Sequence, residues 1–169
     1  GGAVLTPSFG ELREEYDAVI HAVAPNYREM GDESECDALL RDAYRASMRR
    51  AKGQMCKTVA FTLLSAGVGR GKQPLDNVLK VAVQAVSEAT YPGLQRVHLV
   101  AFRKTEQEVL QRVAKLLLAP PPDGHAPSRL PLQRQPSRAA LANRVVMLQS
   151  DPLNNSTLYV RDQLTPLGA

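Results

Sequence analysis

Seven residues, Ser65-Ala66-Gly67-Val68-Gly69-Arg70-Gly71, stand between an apolar run and an amphipathic one. Small residues in that position suit one specific piece of chemistry. Glycines let a backbone approach a ligand closely, and successive N–H groups can then converge on an oxyanion, aided by the N-terminus of the following helix. Arg70 and Lys72 could add positive charge near a phosphate. The pattern is not a Walker loop, which needs Gly-x-x-x-x-Gly-Lys-Ser/Thr. Nor does Gly67-x-Gly69-x-Gly71 fit Gly-x-Gly-x-x-Gly. On these residues alone two readings stand level: a phosphate cradle, or a flexible strand-to-helix turn carrying two solvated cations.

Other residue types offer less. His21 lies inside an apolar stretch, and no Ser/Asp arrangement around it supports a triad, so a hydrogen-bonded structural role is favoured over a base. His98 reads as structural and His125 as exposed. No i, i+4 pairing links them, so no metal site is expected. Cys36 falls on an apolar helical face and Cys56 just precedes an apolar run. Both read as structural thiols, which fits a reducing compartment. The acidic groups Glu11, Glu14, Glu15 and Asp17, and Asp32, Glu33, Glu35 and Asp37, read as solvated loop and helix-start faces.

The elements that would position the loop alternate strand and helix. Residues 17–23 form an apolar run ended by Ala24-Pro25-Asn26, as for a strand buried on both faces. Between Asp32 and Ala51, Cys36, Leu39, Leu40, Ala43, Tyr44, Ser47 and Met48 recur at helical spacing. Ser34, with Asp37 three residues on, is the expected N-cap. Residues 58–64 predict a second strand that runs directly into the loop. After Pro74, the positions Leu75, Val78, Leu79, Ala82, Val83 and Val86 trace a second helical face. Tyr91-Pro92-Gly93 makes a turn. Residues 97–102 predict a third strand. Thr105 to Glu108 reads as a capping box for a third helix, with Val109, Leu110, Val113, Ala114 and Leu117 inward. Strands separated by helices of this length imply βαβ units, a largely parallel sheet and right-handed crossovers. In such sheets ligands bind at the carboxyl ends of the strands, which is where the loop stands.

From Ala119 onward the composition changes. Pro120-Pro121-Pro122-Asp123-Gly124 stops the helix, and Pro127, Pro131 and Pro136 follow. Residues 119–137 read as an extended linker or draped segment. Short strands are expected at 144–149 and 158–160.

The 169 residues suffice for one α/β domain with a real core. Apolar residues make up 44% and charged residues 22%, which is ordinary globular usage. The net charge of +4 is scattered, without a basic cluster interleaved with aromatics, so composition does not indicate nucleic acid. No run approaches the ~20 apolar residues of a membrane span, and none reads as a signal peptide. The chain opens on Gly-Gly rather than Met, which reads as a fragment or a processed product.

Three stretches resemble the macro-domain family. Tyr16 to Asn26 is similar to the strand that reads V-I-H-A-V-G-P there. Gly2-Ala3-Val4-Leu5-Thr6-Pro7 resembles the family's G-E-A-V-x-T segment. Leu63-Leu64-Ser65-Ala66-Gly67-Val68 looks like its second ligand loop, L-L-S-x-G followed by Val or Ile, an aromatic and Gly. The strand and helix from Val97 to Leu117 also fall where the family has them, so the match covers residues 1–118 in order.

The resemblance implies a three-layer α/β/α macro-like fold with a mostly parallel sheet that lacks its N-terminal strands. Residues 1–118 would be a partial macro domain and 119–169 a Pro-rich linker and C-terminal extension. Ser65, Ala66, Gly67, Val68, Gly69 and Arg70 would wrap the diphosphate of ADP-ribose. Phe102 would pack on the adenine, with core packing as the equal alternative. The expected function is recognition of ADP-ribose or a related ADP-ribosyl group, free or on a modified protein. The alternatives are an ADP-ribosylhydrolase or ADP-ribose-phosphate phosphatase completed by upstream sequence, or an α/β scaffold with no ligand. No general base or nucleophile stands out, so binding is favoured over catalysis for this chain. No cofactor is expected, and the location implied is intracellular, cytoplasmic or nuclear. Gly69 departs from the family, which commonly places Phe or Tyr there over the ribose. The family's adenine-reading Asp, its Asn-Ala-Ala-Asn stretch and its first Gly-rich loop have no counterpart here, which leaves half a cleft.

Overall fold

β1 (Gly2–Pro7) and β2 (Ala18–Val23) form an antiparallel pair in which Gly2 faces Val23 and Pro7 faces Ala18. The computed structural model that defines them describes residues 1–118 and 144–147. β3 (Thr58–Thr62) and β4 (Arg96–Val100) run parallel, with Thr58 opposite Arg96. The strand at Arg144–Met147, β5, lies between the two pairs and is parallel to both β2 and β3. The sheet order is therefore β1-β2-β5-β3-β4. The helices are α1 (Leu12–Glu15), α2 (Tyr27–Met30), α3 (Glu33–Gly53), α4 (Leu75–Glu88) and α5 (Lys104–Leu118), with a 3₁₀ turn at Val68–Arg70. The α/β class and the largely parallel sheet expected from the alternation are both present.

Strand register explains which face carries the core. Side chains alternate along a strand, so Ala18 and Ile20 of β2, Val59 and Phe61 of β3, and Leu99 of β4 share one face. All five are buried. The Phe61 ring centroid lies 5.2 Å from that of Tyr44 on α3, so this is the face the helix covers. Full burial of a side chain the size of Ile20 or Phe61 contributes about 1.5–3 kcal/mol. On the opposite face Val4 is 62% and Val23 is 70% exposed. His21 is exposed beside them, its Nε2 sharing a 2.9 Å hydrogen bond with Thr6 Oγ1 across the β1–β2 pair.

The helices follow the expected periodicities with local differences. Val78, Leu79, Ala82, Val83 and Val86 of α4 are buried as the pattern requires, but so are Val81 and Ala85. The reason is position: α4 packs against α3 on one side and α5 on the other. In α5, Leu110 and Val113 are buried while Leu117 is 37% exposed, because the last turn runs off the core. The N-cap of α3 is Asp32 rather than Ser34, its carboxylate accepting from Ser34 N at 2.9 Å and Glu35 N at 3.1 Å. Asp37 instead accepts from the Tyr27 hydroxyl at 2.6 Å and joins α2 to α3. The capping carboxylate of α5 is Glu106, accepting from Phe102 N and Arg103 N, so the cap sits two residues before the expected box.

Strand ends also differ. β3 stops at Thr62 because Leu63 and Leu64 leave the ladder, and Leu64 N donates to the buried Tyr44 hydroxyl at 3.0 Å. β4 stops at Val100, and the 144–149 strand is observed as 144–147. Gly2–Pro7, read only through its resemblance, is β1, and α1 follows at Leu12–Glu15. The Pro-rich stretch at 119–137 and the strand expected at 158–160 lie outside the described residues.

Candidate functional site

The chain leaves β3 through Leu63 and Leu64 and enters the glycine loop with Ser65. Ser65 sits at φ 56, in the left-handed region. A non-glycine residue there costs on the order of 1 kcal/mol, so something must hold it. Its hydroxyl does, donating to the carbonyl of Pro25 at 2.7 Å in a buried setting. Ser65 is 2% exposed and Ala66 6%. These two residues anchor the loop, and the lip that faces solvent is Gly67 and Val68, the latter 78% exposed.

Pro25 and Asn26 directly follow β2, so the bond from Ser65 joins the carboxyl ends of β2 and β3. Two glycines complete the junction. A Cβ added to Gly69 would lie 3.7 Å from Asn26 Oδ1 and 3.8 Å from Pro25 O, ordinary contact distances. A Cβ added to Gly71, at φ +60, would lie 3.1 Å from Arg28 Cα. Gly71 is therefore required twice, by its backbone angle and by the close approach of α2. Asn26 caps α2, its side chain accepting from Arg28 N at 3.1 Å.

Arg70, expected to face a phosphate, turns back on its own loop. Its Nε donates to Ala66 O at 3.3 Å and its Nη1 to Gln73 O. The guanidinium closes the turn from within, holding Gln73 at 7% exposure. Lys72 stays exposed. Phe102 follows β4, the neighbour of β3, and is 45% exposed at the same edge of the sheet. Neither core nor any ring contact claims it among the described residues. Residues 65–71, 24–28 and Phe102 thus gather at the carboxyl edge of the parallel strands. Sequence reasoning had placed only the first and last of these there.

The remaining candidates lie elsewhere. His21 is on the exposed sheet face and bonds Thr6. Cys36 and Cys56 are buried free thiols whose pKa values are pushed up, chiefly by burial, with nearby carboxylates adding to it. A raised thiol pKa disfavours the reactive thiolate. Among the described residues no group of three or more His, Cys, Asp or Glu could hold a metal ion. No helix among them is long and apolar enough to cross a membrane.

Residues 1–82 match the family model for the macro domain. These residues belong to the macro-domain family. The matched span holds β1, β2, β3, the glycine loop and the first turns of α4. Curated relatives extend the likeness. An O-acetyl-ADP-ribose deacetylase of Salmonella gallinarum is 34% identical over 119 residues, covering 69% of this chain and 61% of that protein. A macro domain-containing protein of Cupriavidus necator is 38% identical over 104 residues, covering 60% of this chain and 56% of its own. The chain thus spans roughly three-fifths of the length of the curated macro-domain relatives it matches. Among solved structures, the Oceanobacillus iheyensis macrodomain with ADP superposes with a TM-score of 0.59 at 22% identity, covering 69% of this chain and 58% of that one. A mutant of that macrodomain solved with ADPR gives the same score. These likenesses establish the macro fold of the chain.

Proposed function

We propose that this macro domain recognises ADP-ribose, or an ADP-ribosyl group on a protein, through the 65–71 loop, and that binding rather than catalysis is its activity. The observation that carries the reading is the joined loop pair. Ser65 fixes the loop against Pro25 at the carboxyl ends of β2 and β3, leaving Gly67 and Val68 as its open lip. A loop anchored in this way has little left to order when an anion meets its lip, so little opposes binding. The names of the relatives and the ligands of the solved macrodomains support the choice of ADP-ribose among diphosphates. Gly67 and Val68 make the lip with Gly69 behind them, Ser65 and Ala66 anchor it, Arg70 closes it from within, and Phe102 offers a ring for the adenine. Stacking of that kind contributes about 1–3 kcal/mol per base.

The relatives named as deacetylases make hydrolysis of an acylated ADP-ribose the second reading. Two side chains that could serve it are already engaged: the Ser65 hydroxyl donates to Pro25 O, and His21 lies on the exposed sheet face, bonded to Thr6.

Calorimetric titration of ADP-ribose against the chain and its Gly67→Glu variant tests the proposal. A Cβ at Gly67 meets no atom within 4 Å, so the variant keeps its fold while placing a carboxylate on the lip. Binding by the parent and none by the variant, with equal helix content, is the expected result. Equal affinity would remove the loop from the site. Turnover of O-acetyl-ADP-ribose by the chain would move it to the second reading.

A further inference from the structure

Arg70 is the cation a reader of the loop would assign to a phosphate, yet its guanidinium is committed to the carbonyls of Ala66 and Gln73. Two of its three nitrogens are therefore turned inward, so a full guanidinium fork for a diphosphate has to come from another residue. We propose that Arg28 supplies it, which rests on the ADP-ribose reading above and names a binding residue within it.

Arg28 stands in α2, whose backbone is pressed against the end of the loop. A Cβ on Gly71 would fall 3.2 Å from Arg28 Cβ and 3.2 Å from its backbone nitrogen. The arginine side chain thus departs from the wall of the loop itself. Its backbone is held by the Asn26 cap at 3.1 Å, and Asn26 is also the residue nearest Gly69. Arg28 is exposed, and no hydrogen bond or ion pair engages its guanidinium among the described residues. The turn at Val68–Arg70 rises ~2 Å per residue, so the loop lip is about 6 Å from Gly71, within reach of an extended arginine. A planar guanidinium offers paired donors that match two oxygens of a diphosphate. Arg28 is a charge held ready, while Arg70 is a structural clasp. Lys72, exposed next to Gly71, is the competing cation.

The test is titration of ADP-ribose against the full chain and its Arg28→Gln, Arg28→Lys, Arg70→Ala and Lys72→Ala variants at low and at high salt. Arg28→Gln is expected to weaken binding about fivefold at low salt with an unchanged melting temperature, in line with an exposed charge. It should also flatten the salt dependence, because the lost term is the one salt screens. Arg28→Lys should recover part of the affinity and all of the salt dependence. Arg70→Ala should instead lower the melting temperature, since it opens the turn. Unchanged affinity in Arg28→Gln, a loss without any change in salt dependence, or a loss carried by Lys72→Ala would each overturn the assignment while leaving ADP-ribose recognition standing. Failure of the parent chain to bind ADP-ribose would overturn both.

Discussion

The hydroxyl of Ser65 and the carbonyl of Pro25, 40 positions apart in the chain, meet at 2.7 Å above the sheet. That bond holds a residue of left-handed backbone in place and joins two loops that sequence order keeps apart. Ser65→Ala leaves the buried Pro25 carbonyl without this donor and keeps the unfavourable angle, so it should cost about 1–2 kcal/mol. Ser65→Gly loses the bond but relieves the angle and should cost less. Urea midpoints of the two variants check the order, and an alanine variant as stable as the parent would deny the bond its role.

Gly69 and Gly71 are predicted to behave in opposite ways. Gly71→Ala meets Arg28 at 3.1 Å and must hold φ +60, so a loss of at least about 1–2 kcal/mol is expected. Gly69 has neither constraint, since its nearest neighbours lie at ordinary contact distance. Gly69→Tyr should fold as the parent does and tighten ADP-ribose binding about tenfold by covering the ligand with a ring. Thermal melts and titrations on the same two variants separate the effects.

Tyr44 links the core to the site, with its ring against Phe61 and its hydroxyl accepting from Leu64 N. Tyr44→Phe keeps the packing and leaves a buried N–H without its acceptor, at a cost of about 1–3 kcal/mol. Because Leu64 immediately precedes Ser65, loop protection from hydrogen exchange should fall as well. A variant with parental exchange at residues 64–66 would show that the loop does not depend on this bond.

Alkaline pH should unfold the protein through its buried phenols. Burial pushes the Tyr91 hydroxyl up from 10.0 to about 12, and the nearby Cys56 adds to it. Burial likewise raises Tyr27 and Tyr44. Between pH 10 and about 12 the unfolded chain loses the Tyr91 proton while the folded chain keeps it. Unfolding then releases a proton, so stability is fully present below pH 10 and falls across that window. Denaturant midpoints measured through it should decline, and Tyr91→Phe, which also loses the bond to Cys56 O, should start lower but decline less steeply. A flat profile in the parent would contradict the burial of these groups.

Much of the architecture was legible because period and burial coincide. The α3 and α4 stripes are continuous, and β2 and β3 are apolar runs bounded by turn residues. Elements held by contacts rather than pattern were not legible. α1 and α2 have only four residues each, too few to show a period. The extra buried positions of α4 follow from its place between two helices, which no local window contains. At the site, residues 65–71 and Phe102 were visible as types at strand ends. The direction in which Arg70 turns, and the partnership of Ser65 with Pro25, were not, because the first depends on how the loop folds on itself and the second on a contact 40 positions away in the chain. Asn26 could have been found, as an Asn after an apolar strand and before a short helix is a capping signal.

The last described strand in the chain sits in the middle of the sheet, pairing Ala18 with Val145 and Val59 with Val145. A ribosome making this protein releases β1 with β2, and β3 with β4, long before the strand that must lie between those pairs. Neither half can find its final partner until residue 147 has emerged. Closing such distant contacts carries a high entropic cost, so assembly of the sheet is a late and slow event in the life of each molecule. The nascent chain meanwhile exposes two unpaired inner edges, and it is during synthesis that this protein has most need of a chaperone.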